Sequence, residues 1–263
     1  MLTVTADDGS EVKAYDEGAG PPILIVHPGL DDGRSYKRVA SRLAGRFRVV
    51  RVLRPLYRLD RPGGCSIGYE VDHVLAVAKK LPQPMLLFGH SSGAIIALEA
   101  LVASPDLFAG AVIYEPPLVV GPPLGGDAAT RAQAALKAGK PSQAMTIFAR
   151  DVVGVPAAMA RLSSLFIAAI PRYRGLIPRQ LDDLDAIDAL GYRLDAYAGL
   201  ELPMVLIAGD RSPAHLRERL DALGRAVPHA ERVVLHGRGH DANVRAPGDL
   251  ARIIERQADK VLS

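Results

Sequence analysis

Cysteine occurs once, at Cys65, and tryptophan not at all. A lone thiol excludes a disulfide framework within the chain and leaves a reducing compartment open. An excess of one charge is missing too: 32 Lys and Arg stand against 29 Asp and Glu in 263 residues, a formal net charge of +3. No run of five or more basic residues occurs, so a pI near 9.0 reflects scattered surface charge and not a nucleic-acid patch. Long hydrophobic runs are also absent. Ile23–Val26 and the stretch around 92–103 fall well short of the ~18–20 residues that cross a bilayer. The opening MLTVTADDGSEVKAY has no basic segment leading into an apolar one, so no signal peptide and a cytoplasmic location are expected. What is abundant is apolar sequence: 49% of residues are hydrophobic, which with the small net charge excludes a disordered chain. The length suits one large domain, or a domain with an insertion.

Short apolar runs recur at Ile23–Val26, Phe47–Leu53, Met85–Phe88, Ala111–Tyr114, Met204–Ala208 and Arg232–Leu235. They are rich in Val, Ile and Leu without alternation, the pattern of strands buried on both faces of a parallel sheet. Between them, Val71, Val74, Leu75 and Ala78, then Leu216, Leu220 and Leu223, then Leu250, Ile253 and Ile254 fall at helical spacing. This alternation predicts an α/β fold with a mostly parallel open sheet and helices on both faces. From about Val120 to Leu202 no strand is evident. VVGPPLGG punctuates its start, and Ala-rich helical sequence follows with breaks expected at Pro141, Pro156, Pro171 and Pro178. The expected organisation is a core of residues 1–119 and 203–263 with a helical cap of residues 120–202. Such an insertion overhangs the crevice at the carboxyl ends of the strands, where open α/β sheets bind ligands. Met159, Leu162, Leu165, Phe166 and Ile170 either line a pocket there, hinting at an apolar substrate, or pack on the main domain.

The sharpest motif is Gly89-His90-Ser91-Ser92-Gly93, directly after one apolar run and directly before AIIALEALVA. A G-x-S-x-G turn between a strand and a helix is so sharp that the residues flanking the serine must be small. It lifts the Ser91 hydroxyl to the N-terminus of the following helix, where the Ser92 N–H and the helix dipole stabilise an oxyanion.

With this motif the chain resembles the α/β-hydrolase family over nearly its whole length. Leu24-Ile25-Val26-His27-Pro28-Gly29 is similar to the family's strand and His-Gly oxyanion loop, with Pro28 where glycine is usual. The resemblance implies an oxyanion hole made by the N–H groups of Gly29 and Ser92; Pro28 has no N–H to give. Leu235-His236-Gly237-Arg238-Gly239-His240 resembles the family's late loop, which makes His240 the general base. His73, His215 and His229 lie at helical or pre-strand positions, and His90 shapes the elbow. Two rival readings of the late loop fail on context. Glycines at 237 and 239 disfavour a helical His236/His240 metal pair, and no strand follows to complete a dinucleotide site.

The acid has two candidates. The family often places it after the seventh strand, where Ala208-Gly209-Asp210-Arg211-Ser212-Pro213 puts serine at the usual position and Asp210 two residues early. Asp210 alternatively caps the helix beginning near Pro213. Glu115, in Val112-Ile113-Tyr114-Glu115-Pro116-Pro117, ends the strand after the nucleophile. Haloalkane dehalogenases and certain lactonases carry their acid there, and Glu115 is preferred. The resemblance thus implies a cofactor-independent, metal-free serine hydrolase with Ser91, His240 and Glu115 as catalytic residues. It would cleave an ester, lactone or related acyl bond of a small, apolar substrate. Serine in place of aspartate argues against dehalogenase or epoxide hydrolase chemistry. Carbon–carbon bond hydrolysis and a non-hydrolytic binding or lyase-like role stay as alternatives. No nucleic acid or membrane partner is expected; a homo-oligomer is left open. Asp60–Ser66 replaces the family's Gly-x-Gly-x-Ser loop without matching it, and Cys65 reads as a buried or incidental thiol.

Overall fold

The apolar runs fold as expected, into strands whose neighbours in sequence feed opposite sides of one sheet. The computed structural model describes residues 1–61 and 63–262. Its strands are β1 (Leu2–Thr5), β2 (Glu11–Glu17), β3 (Pro22–Val26), β4 (Arg48–Val52), β5 (Met85–His90), β6 (Phe108–Tyr114), β7 (Met204–Gly209) and β8 (Glu231–Leu235). They lie in the order β1-β2-β4-β3-β5-β6-β7-β8. From β4 to β8 every pairing is parallel, whereas β1 with β2 and β2 with β4 are antiparallel. On β3, Leu24 and Val26 join one core while Ile23 and Ile25 join the other. That two-sided burial is why the sequence shows no alternation.

Before the insertion come α1 (Lys37–Leu43), α2 (Ile67–Ala78) and α3 (Ser92–Ala103). The insertion itself holds α4 (Gly126–Lys137), α5 (Pro141–Ile147), α6 (Ala157–Ala169), α7 (Pro171–Leu190) and α8 (Leu194–Tyr197), all between β6 and β7. After β7 come α9 (Ala214–Ala226), α10 (Ala242–Arg245) and α11 (Pro247–Val261). Residues of α2, α3 and α9 fill one core and those of α1, α10 and α11 the other. The sheet is therefore the middle of three layers. None of the helices described is long and apolar enough to cross a membrane.

Three features differ from the sequence pattern. The hairpin of β1 and β2 is absent from it, because on β2 only Val12 and Ala14 are buried among polar residues, too weak an alternation to read as a strand. Pro141 and Pro171 sit at the first helical position, where a missing N–H costs nothing, but α7 runs straight through Pro178. Ile177 beside it and Leu181 one turn further on are buried at 0% and 3% exposure, so tertiary packing outweighs the one lost backbone bond. Finally, Met159, Leu162, Leu165 and Phe166 on α6 are all exposed, and none of them lines the cavity that holds Ser91 and His240.

Order reverses between β4 and β5, which flank β3 on either side, and the serine turn follows β5. Here α3 approaches β3 very closely. A Cβ added to Gly93 would lie 2.3 Å from the His27 carbonyl oxygen and 2.5 Å from that of Val26. Both obstacles are backbone and cannot swing aside. Gly93→Ala is therefore expected to destabilise the fold by about 3 kcal/mol, measured by chemical denaturation.

Candidate active site

Ser91 stands between β5 and α3 with φ 54° and ψ −128°, a region that costs a non-glycine residue about 1–3 kcal/mol. Its N–H donates to Tyr114 O (2.9 Å), and its carbonyl accepts from Ala94 N–H (2.8 Å). The strained turn is thus held from both sides. Among the described residues the N–H groups of Gly29 and Ser92 have no protein acceptor, leaving two donors of the kind an oxyanion needs.

Glu115 follows β6 with φ 45° and is completely buried. Its N–H donates to Ile207 O (3.2 Å). Oε1 accepts from the Gly209 N–H at 2.7 Å, and Oε2 lies 2.6 Å from His240 Nδ1. A carboxylate only accepts, so Nδ1 carries the proton and Nε2 keeps its lone pair. The His240 loop is tied down by the Tyr114 hydroxyl, which donates to Gly239 O. The His90 ring stacks on Tyr114 (centroids 4.4 Å apart, 12° between planes) and lies 4.6 Å from the His240 ring. Burial, and then the His240 charge, holds His90 well below the usual histidine range. It is a neutral packing surface under His240.

Asp210 is elsewhere. Its Oδ1 accepts from Gly237 N–H (2.8 Å) and its Oδ2 lies 3.3 Å from His236 Nδ1, so it closes the turn after β8. It does not cap α9, whose N-cap is Pro213. His236 is exposed and faces Asp210 while His240 faces Glu115, so the two rings do not converge on a metal. Cys65 is half-buried; burial pushes its thiol up to about 12, too high for a nucleophile at neutral pH. Of its loop, Pro62 lies outside the described residues, and Ser66 caps α2 by accepting from Tyr69 N–H.

Ser91, Ser92 and His240 line a cavity of about 70 Å³ roofed by the insertion through Leu124, Phe148, Val152, Leu184 and Ile187. Gln180 on α7, and His215 and Arg219 on α9, add polar groups to its wall. A second, larger cavity of about 300 Å³ lies beyond His27 and Tyr57 and contains neither Ser91 nor His240.

Beneath the serine turn lies a charged cluster that no sequence pattern announces. Arg54, 1% exposed, follows β4. Its Nη1 donates to Ser92 Oγ at 2.7 Å and, more loosely, to His27 O at 3.4 Å. Its Nη2 reaches Glu70 Oε2 at 2.5 Å and Asp183 Oδ1 at 2.8 Å. Asp183 belongs to α7 of the insertion and also accepts from the Tyr57 hydroxyl (2.7 Å). Burial opposes the Arg54 charge, but Asp183 and Glu70 more than offset it and raise its pKa. Burial raises that of Glu70. His27, fully buried, is held neutral by the same desolvation. Its Nδ1 donates to Pro28 O (2.8 Å) and Nε2 accepts from Arg54 N–H (3.4 Å). Arg54 thus braces both backbone segments that carry the two open N–H donors.

The sequence profile of the alpha/beta hydrolase family matches residues 23–253. The chain belongs to the α/β hydrolase family. Among curated proteins, the uncharacterized hydrolase YraK of Bacillus subtilis (strain 168) is 32% identical over 117 residues. That stretch spans 42% of this chain and 43% of the relative. An α/β hydrolase from Sphaerobacter thermophilus DSM 20745 superposes with a TM-score of 0.76 at 26% identity, covering 95% of this chain and 99% of the other. A thermophilic esterase from Thermogutta terrifontis gives 0.77 at 18% identity, covering 100% of this chain and 99% of the other; at that identity the likeness is one of fold. The α/β-hydrolase fold expected from the motifs is the one observed.

Proposed function

We propose that this α/β hydrolase is a serine hydrolase cleaving small esters, lactones or related acyl compounds, with residues 120–202 acting as a cap over the core of 1–119 and 203–263. Ser91 Oγ attacks the acyl carbonyl while His240 Nε2 takes its proton. Glu115 holds His240 in the tautomer this requires and stabilises the imidazolium that forms. The carbonyl oxygen, now negative, is received by the Gly29 and Ser92 N–H groups. Collapse of the tetrahedral species expels the alcohol with the proton from His240, and water releases the acyl group by the same steps in reverse.

One observation carries this proposal: Glu115 lies 2.6 Å from Nδ1 of His240, whose side chain lines the same cavity as Ser91. A fluorophosphonate probe is expected to label the wild type stoichiometrically at Ser91 and to leave Ser91→Ala unlabelled. A folded wild type that resists the probe would remove Ser91 as nucleophile.

A further inference from the structure

The cavity wall holds a cation that the protein does not neutralise. Arg48, Arg51, Arg54, Arg58 and Arg193 are all partly or wholly buried, and each lies against a carboxylate. Arg219, half-buried on α9, lines the same cavity as Ser91 and His240 and has no such partner among the described residues. Its Nε donates to Leu118 O at 2.9 Å and its Nη1 to His215 O at 3.2 Å. Both acceptors are backbone carbonyls, and Nη2 is left without an acceptor among the described residues. Glu218 and Asp188 favour its charge only from a distance. The Asp188 carboxylate is already engaged by the N–H groups of Leu124 and Gly125, at 2.6 and 2.8 Å.

Burial is the largest influence on Arg219 and pulls its pKa down. Burial and Arg219 together do the same to His215, so that ring adds no second cation. The rest of the wall is mainly apolar side chains and the Gln180 amide. A guanidinium fixed by two carbonyls, with one edge free in such a wall, presents a planar donor set that suits a carboxylate. The cavity, at about 70 Å³, admits only a short molecule beside it. We propose that Arg219 is a carboxylate anchor, so that the substrate is a short ester or lactone bearing a free carboxylate a few bonds from the scissile carbonyl. The inference rests on the serine-hydrolase reading of the same cavity.

Two measurements test it, and the first needs no turnover. Calorimetric titration at neutral pH compares succinamate, which has one carboxylate and one amide, with the neutral succinamide. The wild type is expected to bind succinamate about 10- to 100-fold more tightly, the range for hydrogen bonds to a charged group. Arg219→Gln should erase the difference and Arg219→Lys should keep part of it. The second compares kcat/KM for monomethyl succinate and methyl succinamate, whose ratio should favour the former by a similar factor and collapse toward one in Arg219→Gln. Equal affinity of the wild type for the two titrants overturns the proposal, as does a preference that survives Arg219→Gln. Should Arg219→Gln unfold through loss of its hold on Leu118, the wild-type comparison and Arg219→Lys still decide. If neither ester turns over and the fluorophosphonate probe finds no nucleophile, the hydrolase reading fails, while the titration still judges Arg219.

Discussion

Glu115→Gln is expected to lower kcat by about 10⁴-fold with KM nearly unchanged, the loss seen when the orienting acid of a serine triad becomes an amide. The geometry gives the reason. Glu115 Oε2 accepts from His240 Nδ1–H at 2.6 Å. An amide nitrogen in that place donates, which forces the proton onto Nε2 and turns the ring's N–H toward Ser91. The base then has no lone pair where the serine proton must go, and the imidazolium loses its counter-charge. Binding should survive, because the introduced amide retains an oxygen for the Gly209 N–H, which in the wild type donates to Glu115 Oε1 at 2.7 Å. Asp210→Asn is the control. Its carboxylate serves Gly237 and His236 at an exposed turn, so kcat should change by no more than a few-fold. A large loss confined to Asp210→Asn would transfer the acid role to it. Thermal unfolding of both variants separates lost chemistry from lost fold.

Much of this architecture is legible in the sequence, and the rest is hidden for definite reasons. The inner strands declare themselves because burial on both faces demands unbroken Val, Ile and Leu. The serine turn declares itself because Gly93 must clear the His27 carbonyl, a requirement that leaves a mark on residue identity. Glu115 and His240 are 125 positions apart, yet each lies in the loop that follows a strand and can be placed by that loop. The hairpin of β1 and β2 escapes because its inward residues are few and small. Arg54 and Asp183 escape for another reason. They are 129 positions apart, one after β4 and the other inside a helix, and only the docking of α7 over the sheet brings them together. Within LDDLDAID, Asp183 is one more polar residue on a helix. Arg219 is hidden in the same way: its significance is the absence of a carboxylate beside it, which sequence cannot display.

Arg54→Met carries the second large effect: a loss of about 3–5 kcal/mol of stability, the range for removing one partner of a buried ion pair. The side chain of Met fills a similar volume, so the loss is electrostatic in origin. Without the guanidinium, Glu70 and Asp183, at 2% and 0% exposure, face each other as buried carboxylates with no cation between them. Burial already raises the Glu70 pKa in the presence of Arg54, and removing the cation can only raise it further. The sign of the pH dependence follows. A carboxyl whose folded pKa exceeds its unfolded value binds more protons when folded, so stability falls as pH rises through that window. The deficit of Arg54→Met relative to wild type should therefore be smaller at mildly acidic pH than at mildly alkaline pH, measured by chemical denaturation at both. Equal deficits would mean that the two carboxyls are not left charged. Activity should fall further than unfolding alone accounts for, because Arg54 also fixes Ser92 Oγ at 2.7 Å and with it one wall of the proposed oxyanion hole. Asp183→Asn makes the complementary test. It keeps an oxygen for Arg54, while the amide nitrogen faces the Tyr57 hydroxyl, which then accepts and can give its own proton to Gln180 Oε1. Glu70 is left as the sole counter-charge, converting a cluster of net negative charge into a balanced pair. Its stability should fall far less than that of Arg54→Met, and any loss of kcat would report how tightly the docking of α7 is coupled to the serine turn beneath it.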